Sequence, residues 1–149
     1  MDAKCPFTIR MMRPADYHGV LDLWRACGLP SRPLGRDSEP HIRRELAATH
    51  ASFLLAEDPQ NQLIGTVFAT HDGRKGWINR LAVDPRWQSR GVGRALVLAA
   101  EEHLRTLGIG IIACLIEGDN DRSEQLFTSL GYVFHDDIRY YTKRKHPGI

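Results

Sequence analysis

The chain has 149 residues, 42% of them hydrophobic and 26% charged, which suits one globular domain spanning 1–149 and leaves no room for two. Its 20 basic and 18 acidic residues give a net charge of +2 with no long run of Lys or Arg, so no nucleic-acid partner is expected. The three cysteines (Cys5, Cys27, Cys114) are scattered and no apolar stretch reaches the roughly 20 residues that cross a bilayer, so the expectation is a reducing, cytoplasmic setting with no disulfide framework, no metal site and no membrane partner.

In chain order, Phe7 to Met12 alternates as a first strand. Pro14 opens a helix to about Cys27, packing through Val20, Leu21, Leu23 and Trp24. Gly28 to Pro40, with three prolines and two glycines, is a loop, and a second helix runs from about Ser38 to Thr49. Ser52–Asp58 and Gln62–His71 form a hairpin about the Asp58–Asn61 turn, and His71 to Gly76 turns into a strand over Trp77–Asp84. The clearest helix spans Gly91 to Leu107, with Val92, Leu96, Ala99, Ala100 and Leu107 inward, Arg94, Glu101 and Arg105 outward, and Gly108 as its stop. Ile109 to Glu117 is an apolar run, as in a strand covered on both faces, and a short helix follows from about Asp121 to just before Gly131. The tail around Asp136-Asp137 reads as two last strands carrying Tyr140 and Tyr141. The strands at Trp77 and Ile111 are joined by a helical crossover and should be parallel, giving a mixed α/β domain.

The stretch "RWQSRGVGRAL" (Arg86 to Leu96) concentrates arginine and glycine where a strand gives way to a helix. The first amides of a helix lack internal partners and its dipole favours an anion there. Gly91 and Gly93 leave the backbone bare, and Arg90 and Arg94 can bond phosphate oxygens. On that reading Gly93→Asp would block an anion without disturbing the fold. A P-loop would need Gly-Lys-Ser/Thr, which is absent, and a dinucleotide turn would need a third glycine where Leu96 stands.

Gln88-x-x-Gly91-x-Gly93, after "LAVDP" and before the "N-x-x-S-x-x-L-F-x-x-L-G-Y" run from Asn120 to Tyr132, resembles the GNAT superfamily of acetyl-CoA-dependent N-acetyltransferases. The resemblance implies a mostly antiparallel central sheet with one splayed parallel strand pair, flanked by helices. It implies acetyl-CoA as co-substrate and an amine, of a small molecule or a protein, as acceptor, with a homodimer through the last strands. The pyrophosphate would lie on Ser89, Arg90, Gly91, Val92, Gly93 and Arg94, after Gln88, and the pantetheine arm along Leu81, Ala82 and Val83. Asn120 matches a residue that contacts the arm, though helix capping is an equal role for it. The family's tyrosine acid is here Phe127, beside the cofactor, and its glutamate base is Leu115. Glu117 is then the candidate base, and one of Tyr140 and Tyr141 the candidate acid, with water as the substitute. The alternative kept open by Phe127 and Leu115 is an acyl-CoA-binding module without catalysis. Tyr132, His103 and Trp24 are expected to pack. The arginines of Ser31 to His41, on the acceptor side, either select a carboxylate-bearing amine or are solvated.

Overall fold

The structure, a computed structural model, describes residues 6–149, so Cys5 lies outside the described residues. Five strands form one sheet in sequential order: β1 (Thr8–Met11), β2 (Ala51–Glu57), β3 (Leu63–His71), β4 (Lys75–Val83) and β5 (Ile111–Cys114). The first four pair antiparallel and β4–β5 is parallel, as the crossover requires. Helices α1 (Tyr17–Ala26) and α2 (Glu39–Leu46) cover one face; α3 (Val92–Thr106) and α4 (Asp121–Ser129) cover the other.

Burial on both faces explains the near-continuous apolar runs of the central strands. Along β2, Phe53 and Leu55 join Trp24, Ile42 and Phe68 under α1 and α2, while Leu54 and Ala56 join Ile64, Val67, Leu96 and Leu104 under α3. Gly65 is the close approach that seats α3: a Cβ there would stand 2.8 Å from Leu96 Cδ1 and 3.2 Å from the Ala82 carbonyl. The hairpin turn is held by Asp58, whose Oδ1 accepts from the amides of Gln60 and Gln62, both at 2.9 Å.

Four expectations differ from the structure. The run from Ile109 to Glu117 is no strand covered on both faces: it forms only the edge strand β5, with Ile111 and Leu115 exposed. Glu101 is not solvated: it is 6% exposed, accepting from the Tyr132 hydroxyl at 2.8 Å and from Arg105 at 3.3 Å. A polar residue on a helix faces inward when a partner from another element satisfies it, and Tyr132 arrives 31 residues later. Leu107 is the exposed C-cap of α3, not a core residue. The two last strands do not form: the sheet ends at β5, and residues 133–145 carry no strand. Alternation there is real, but alternation alone makes no strand: residues 133–145 are exposed, bury no face and pair with no strand of the described chain. Tyr140 and Tyr141, 72% and 83% exposed, therefore line no cleft in it.

Acidic side chains fasten the entry to α1 and the exit of β4. Arg10 bonds both carboxylate oxygens of Asp16 at 2.8 Å and holds its pKa below the ordinary carboxylate range, with the Arg13 amide helping; Arg86, bonded to the two oxygens of Asp84 at 3.2 and 3.0 Å, lowers that group in the same way. A depressed folded pKa gives stability that is present above the unfolded value and lost as pH falls through the folded one. Unfolding free energy should therefore begin to drop near about pH 4 and fall further below it. Asp16→Asn should flatten that acid limb in a urea titration, and an unchanged limb would remove the Arg10–Asp16 pair as its source.

Candidate active site

The register of β4 breaks at Arg80. Thr66 faces Ala82 but Phe68 faces Asn79, so two β4 residues, Arg80 and Leu81, oppose Val67 alone. Arg80 has φ 55°, a left-handed conformation worth about 1–3 kcal/mol of strain for a side chain of this kind. The extra residue resets the alternation: Leu81 and Val83 join Ile78 on the α3 side, while Ala82 lies under α1. Parallel pairing with β5 ends at Ile78–Cys114, so from Arg80 onward the β5-facing edge of β4 has no strand partner among the described residues. A slot bounded by bare strand edge results, beside the backbone of Leu81 to Val83.

At the end of this slot stands the N-terminus of α3. Ser89 and Gly91 are both left-handed, φ 62° and 85°, which folds the loop back onto the helix. Gly91, as N-cap, offers no side-chain bond, and no acidic residue follows in the first turn. By contrast, α2 and α4 are capped by Ser38 and Asn120 and carry acids in their first turns. Ala95 donates the first intrahelical bond, to Gly91 at 3.0 Å, leaving the amides of Val92, Gly93 and Arg94 without intrahelical acceptors. Arg90 lies 5.1 Å above the Trp87 ring, and Gln88 Nε2 donates to the Val83 carbonyl at 3.4 Å, bracing the loop against β4. Uncapped amides, a helix dipole, Arg90 and Arg94 together can hold a doubly charged phosphate. A Cβ at Gly93 would make ordinary van der Waals contact with Leu126 Cδ2 at 3.4 Å and Val83 Cγ2 at 3.5 Å.

On the α1 side of the bulge lies a buried polar cluster that sequence patterning did not show. Arg80 donates to Asp37 Oδ2 at 2.6 Å and to the Pro30 carbonyl, and its guanidinium sits 4.5 Å over the Trp24 ring. Burial pulls its pKa below the ordinary value against the opposing charge of Asp37. The Arg80 carbonyl accepts from the Thr66 hydroxyl at 2.8 Å, and Thr66 accepts from Trp24 Nε1 at 3.0 Å. Asp37, 5% exposed, also takes the Arg32 amide at 2.7 Å, and its carbonyl takes the Tyr17 hydroxyl at 2.6 Å. The available signal was the spacing Ile78, Leu81, Val83, which breaks a period of two.

The other candidate residues fall in three places. Asn120 caps α4, its Oδ1 accepting from the Ser123 amide at 3.1 Å, so only its Nδ2 is free for a ligand. Phe127 is 4% exposed, edge-on to Tyr132 with centroids 4.9 Å apart, and belongs to the core between α4 and the sheet. Glu117 lies past β5 on an exposed turn and makes no ion pair among the described residues. Tyr132 is anchored to Glu101, and burial with that neighbour raises its pKa far above the ordinary phenol, which unsuits it as an acid. Burial likewise pushes the Cys114 thiol up to about 11 and raises Cys27, so neither is a thiolate nucleophile. The apolar crevice lined by Met12, Tyr17, Trp24, Ile42 and Phe68 has no room even for a water molecule, so it is no ligand pocket, and the open slot at β4 is the better site.

An unpaired strand edge ending on an uncapped, arginine-flanked helix defines a protein built to hold a phosphate-bearing ligand. The model of the Acetyltransferase (GNAT) family matches residues 17–132, so the chain belongs to that family. It is similar to the acetyltransferase SG1711 of Sodalis glossinidius, 32% identical over 136 residues that cover 91% of this chain and 94% of that one. Among solved structures it is similar to the aminoglycoside 6'-N-acetyltransferase AAC(6')-Ih of Acinetobacter baumannii, with TM-score 0.76, 18% identity and coverage of 93% and 98%. It is also similar to the PaiA N-acetyltransferase of Thermoplasma acidophilum in complex with coenzyme A, with TM-score 0.76, 19% identity and coverage of 87% and 91%. The chain is thus an acyltransferase of the GNAT type. Nothing in these matches supports a module that binds without catalysis. No helix among the described residues is long and apolar enough to cross a membrane.

Proposed function

We propose that this domain, spanning 1–149, moves the acetyl group of acetyl-CoA to a primary amine by direct attack within a ternary complex. The observation that carries the proposal is the uncapped α3 N-terminus at the end of the unpaired edge of β4. The pyrophosphate rests on the loop from Ser89 to Arg94, with Gln88 bracing that loop. The pantetheine arm pairs along Leu81, Ala82 and Val83, and Asn120 reaches it through Nδ2. Phe127 supports this site from the core. The amine nitrogen attacks the thioester carbon, a strand amide beside Leu81 takes the oxyanion, and the C–S bond breaks. The nitrogen's proton leaves to Glu117 through water. Water also returns a proton to the departing thiolate, whose pKa of about 8.5 asks little help. Tyr140→Phe and Tyr141→Phe should then leave turnover unchanged.

The acceptor is an amine of unassigned identity: 18% identity to an aminoglycoside enzyme carries the fold and not its acceptor. A second copy of the chain is the proposed macromolecular partner, through the exposed tail and the β5 edge. The dispersed cysteines keep a cytoplasmic setting as part of the proposal. The test is thiol release from acetyl-CoA over peptides with different first residues, lysine peptides, polyamines, amino acids and aminoglycosides. Turnover with one class supports the transfer and names the acceptor. Acetyl-CoA binding with silence across the whole panel would overturn transfer to these amines.

A further inference from the structure

Arg80 combines two costs at one position. A glycine would adopt its left-handed backbone without strain, and a neutral side chain would avoid burying a guanidinium. The chain instead keeps an arginine whose side chain is 16% exposed and whose two terminal nitrogens and carbonyl are all bonded. Its guanidinium grips Asp37 and Pro30, which belong to the 28–38 loop between α1 and α2. Its carbonyl is tied through Thr66 to Trp24, over whose ring the same guanidinium lies. Bulge, loop and α1 are thereby closed into one ring of contacts. The next residues of β4 are Leu81 to Val83, the bare edge of the slot. The amides of Arg32, Gly35, Asp37 and Ser38 are bonded within the loop, so its shape is set once Asp37 is fixed.

We propose that Arg80 and Asp37 form a latch that positions the 28–38 loop against the β4 bulge and so fixes the wall along which the acceptor amine reaches the thioester. The latch rests on the reading of β4 as the thioester-bearing edge. Neither residue touches reacting atoms; both are positioning residues. The cofactor phosphates are held at the other end of the slot, by α3, and are outside the latch's reach. A merely structural fastener and a positioning latch therefore differ in what their loss does to the two substrates.

The experiment compares wild type with Arg80→Gly, which keeps the left-handed backbone without strain while deleting the guanidinium. Asp37→Asn keeps shape without charge, and Arg80→Lys is the conservative variant. The probe is whichever panel amine the wild type acetylates fastest, with acetyl-CoA affinity and amide hydrogen exchange over 28–38 measured alongside. The expected result for Arg80→Gly is an acetyl-CoA Kd within about threefold of wild type, as the phosphate site is remote, and an acceptor KM raised about tenfold or more, the scale of one lost charged contact. Faster exchange at the Arg32 and Asp37 amides should accompany it, with Arg80→Lys recovering part of both. An unchanged acceptor KM with only a lowered unfolding midpoint would overturn the latch, as would unchanged exchange. A wild type silent on every amine would instead fail the transferase proposal, and the latch would fall with it.

Discussion

Arg94→Glu should weaken acetyl-CoA binding on the order of a hundredfold while leaving the fold as stable as before or slightly more so. Arg94 is the third residue of α3, after the N-cap Gly91. A glutamate at this position faces the positive end of the helix dipole and can reach back to the N-cap amide, gains of about 0.3–1 kcal/mol. The same carboxylate stands where a phosphate must come. It removes a charge-assisted bond of about 1.5–3 kcal/mol and adds repulsion to an anion held by neighbouring amides. Stability and affinity should therefore move in opposite directions, which damage to the fold cannot imitate. Calorimetric titration with acetyl-CoA and denaturant unfolding of both proteins read the two effects. An unchanged Kd would place the anion elsewhere and remove the basis of the site.

Gly93→Asp reads the same anion less cleanly, because a Cβ at Gly93 already stands in van der Waals contact with Leu126 and Val83. Local pattern reports which residues lack a Cβ, not what fills the space. The same limit runs through the fold. The helices, the hairpin and the parallel crossover were legible because each depends on periodicity or on turn chemistry within a few residues. Helix α1 begins later than Pro14 because a 3-10 turn at Pro14–Asp16 precedes it, and α2 stops at Leu46, short of Thr49. Glu101 read as solvated because its partner Tyr132 lies on another element. The Arg80–Asp37 pair was hidden for the same reason, its members being 43 residues apart. The arginine-flanked start of α3 was legible because its two glycines and two arginines are local. The buried cluster at the β4 bulge is long-range contact, and only the parity break from Ile78 to Leu81 announced it.

The tail is where pattern and structure disagree most, and pairing with a second copy of the chain would account for the disagreement. Seven of the eleven exposed large hydrophobics among the described residues are Val133, Phe134, Ile138, Tyr140 and Tyr141 of the tail and Ile111 and Leu115 at β5. β5 is the last strand of the sheet, so its outer edge presents backbone groups ready to pair, and such an edge is ordinarily covered or blunted. A segment with strand alternation and an open strand edge are complementary, and two copies can satisfy both at once around a twofold axis. Phe134→Asp with Ile138→Asp should then convert a dimer to a single chain in light scattering. Loss of two apolar anchors, each worth about 2 kcal/mol or more, weakens association on the order of a thousandfold. Both side chains are exposed in the single chain, so its unfolding midpoint should stay within about 0.5 kcal/mol of wild type when measured well below the dimer's Kd. A wild type that stays monomeric at high concentration, or a doubly substituted chain that still pairs, would take the tail out of the interface.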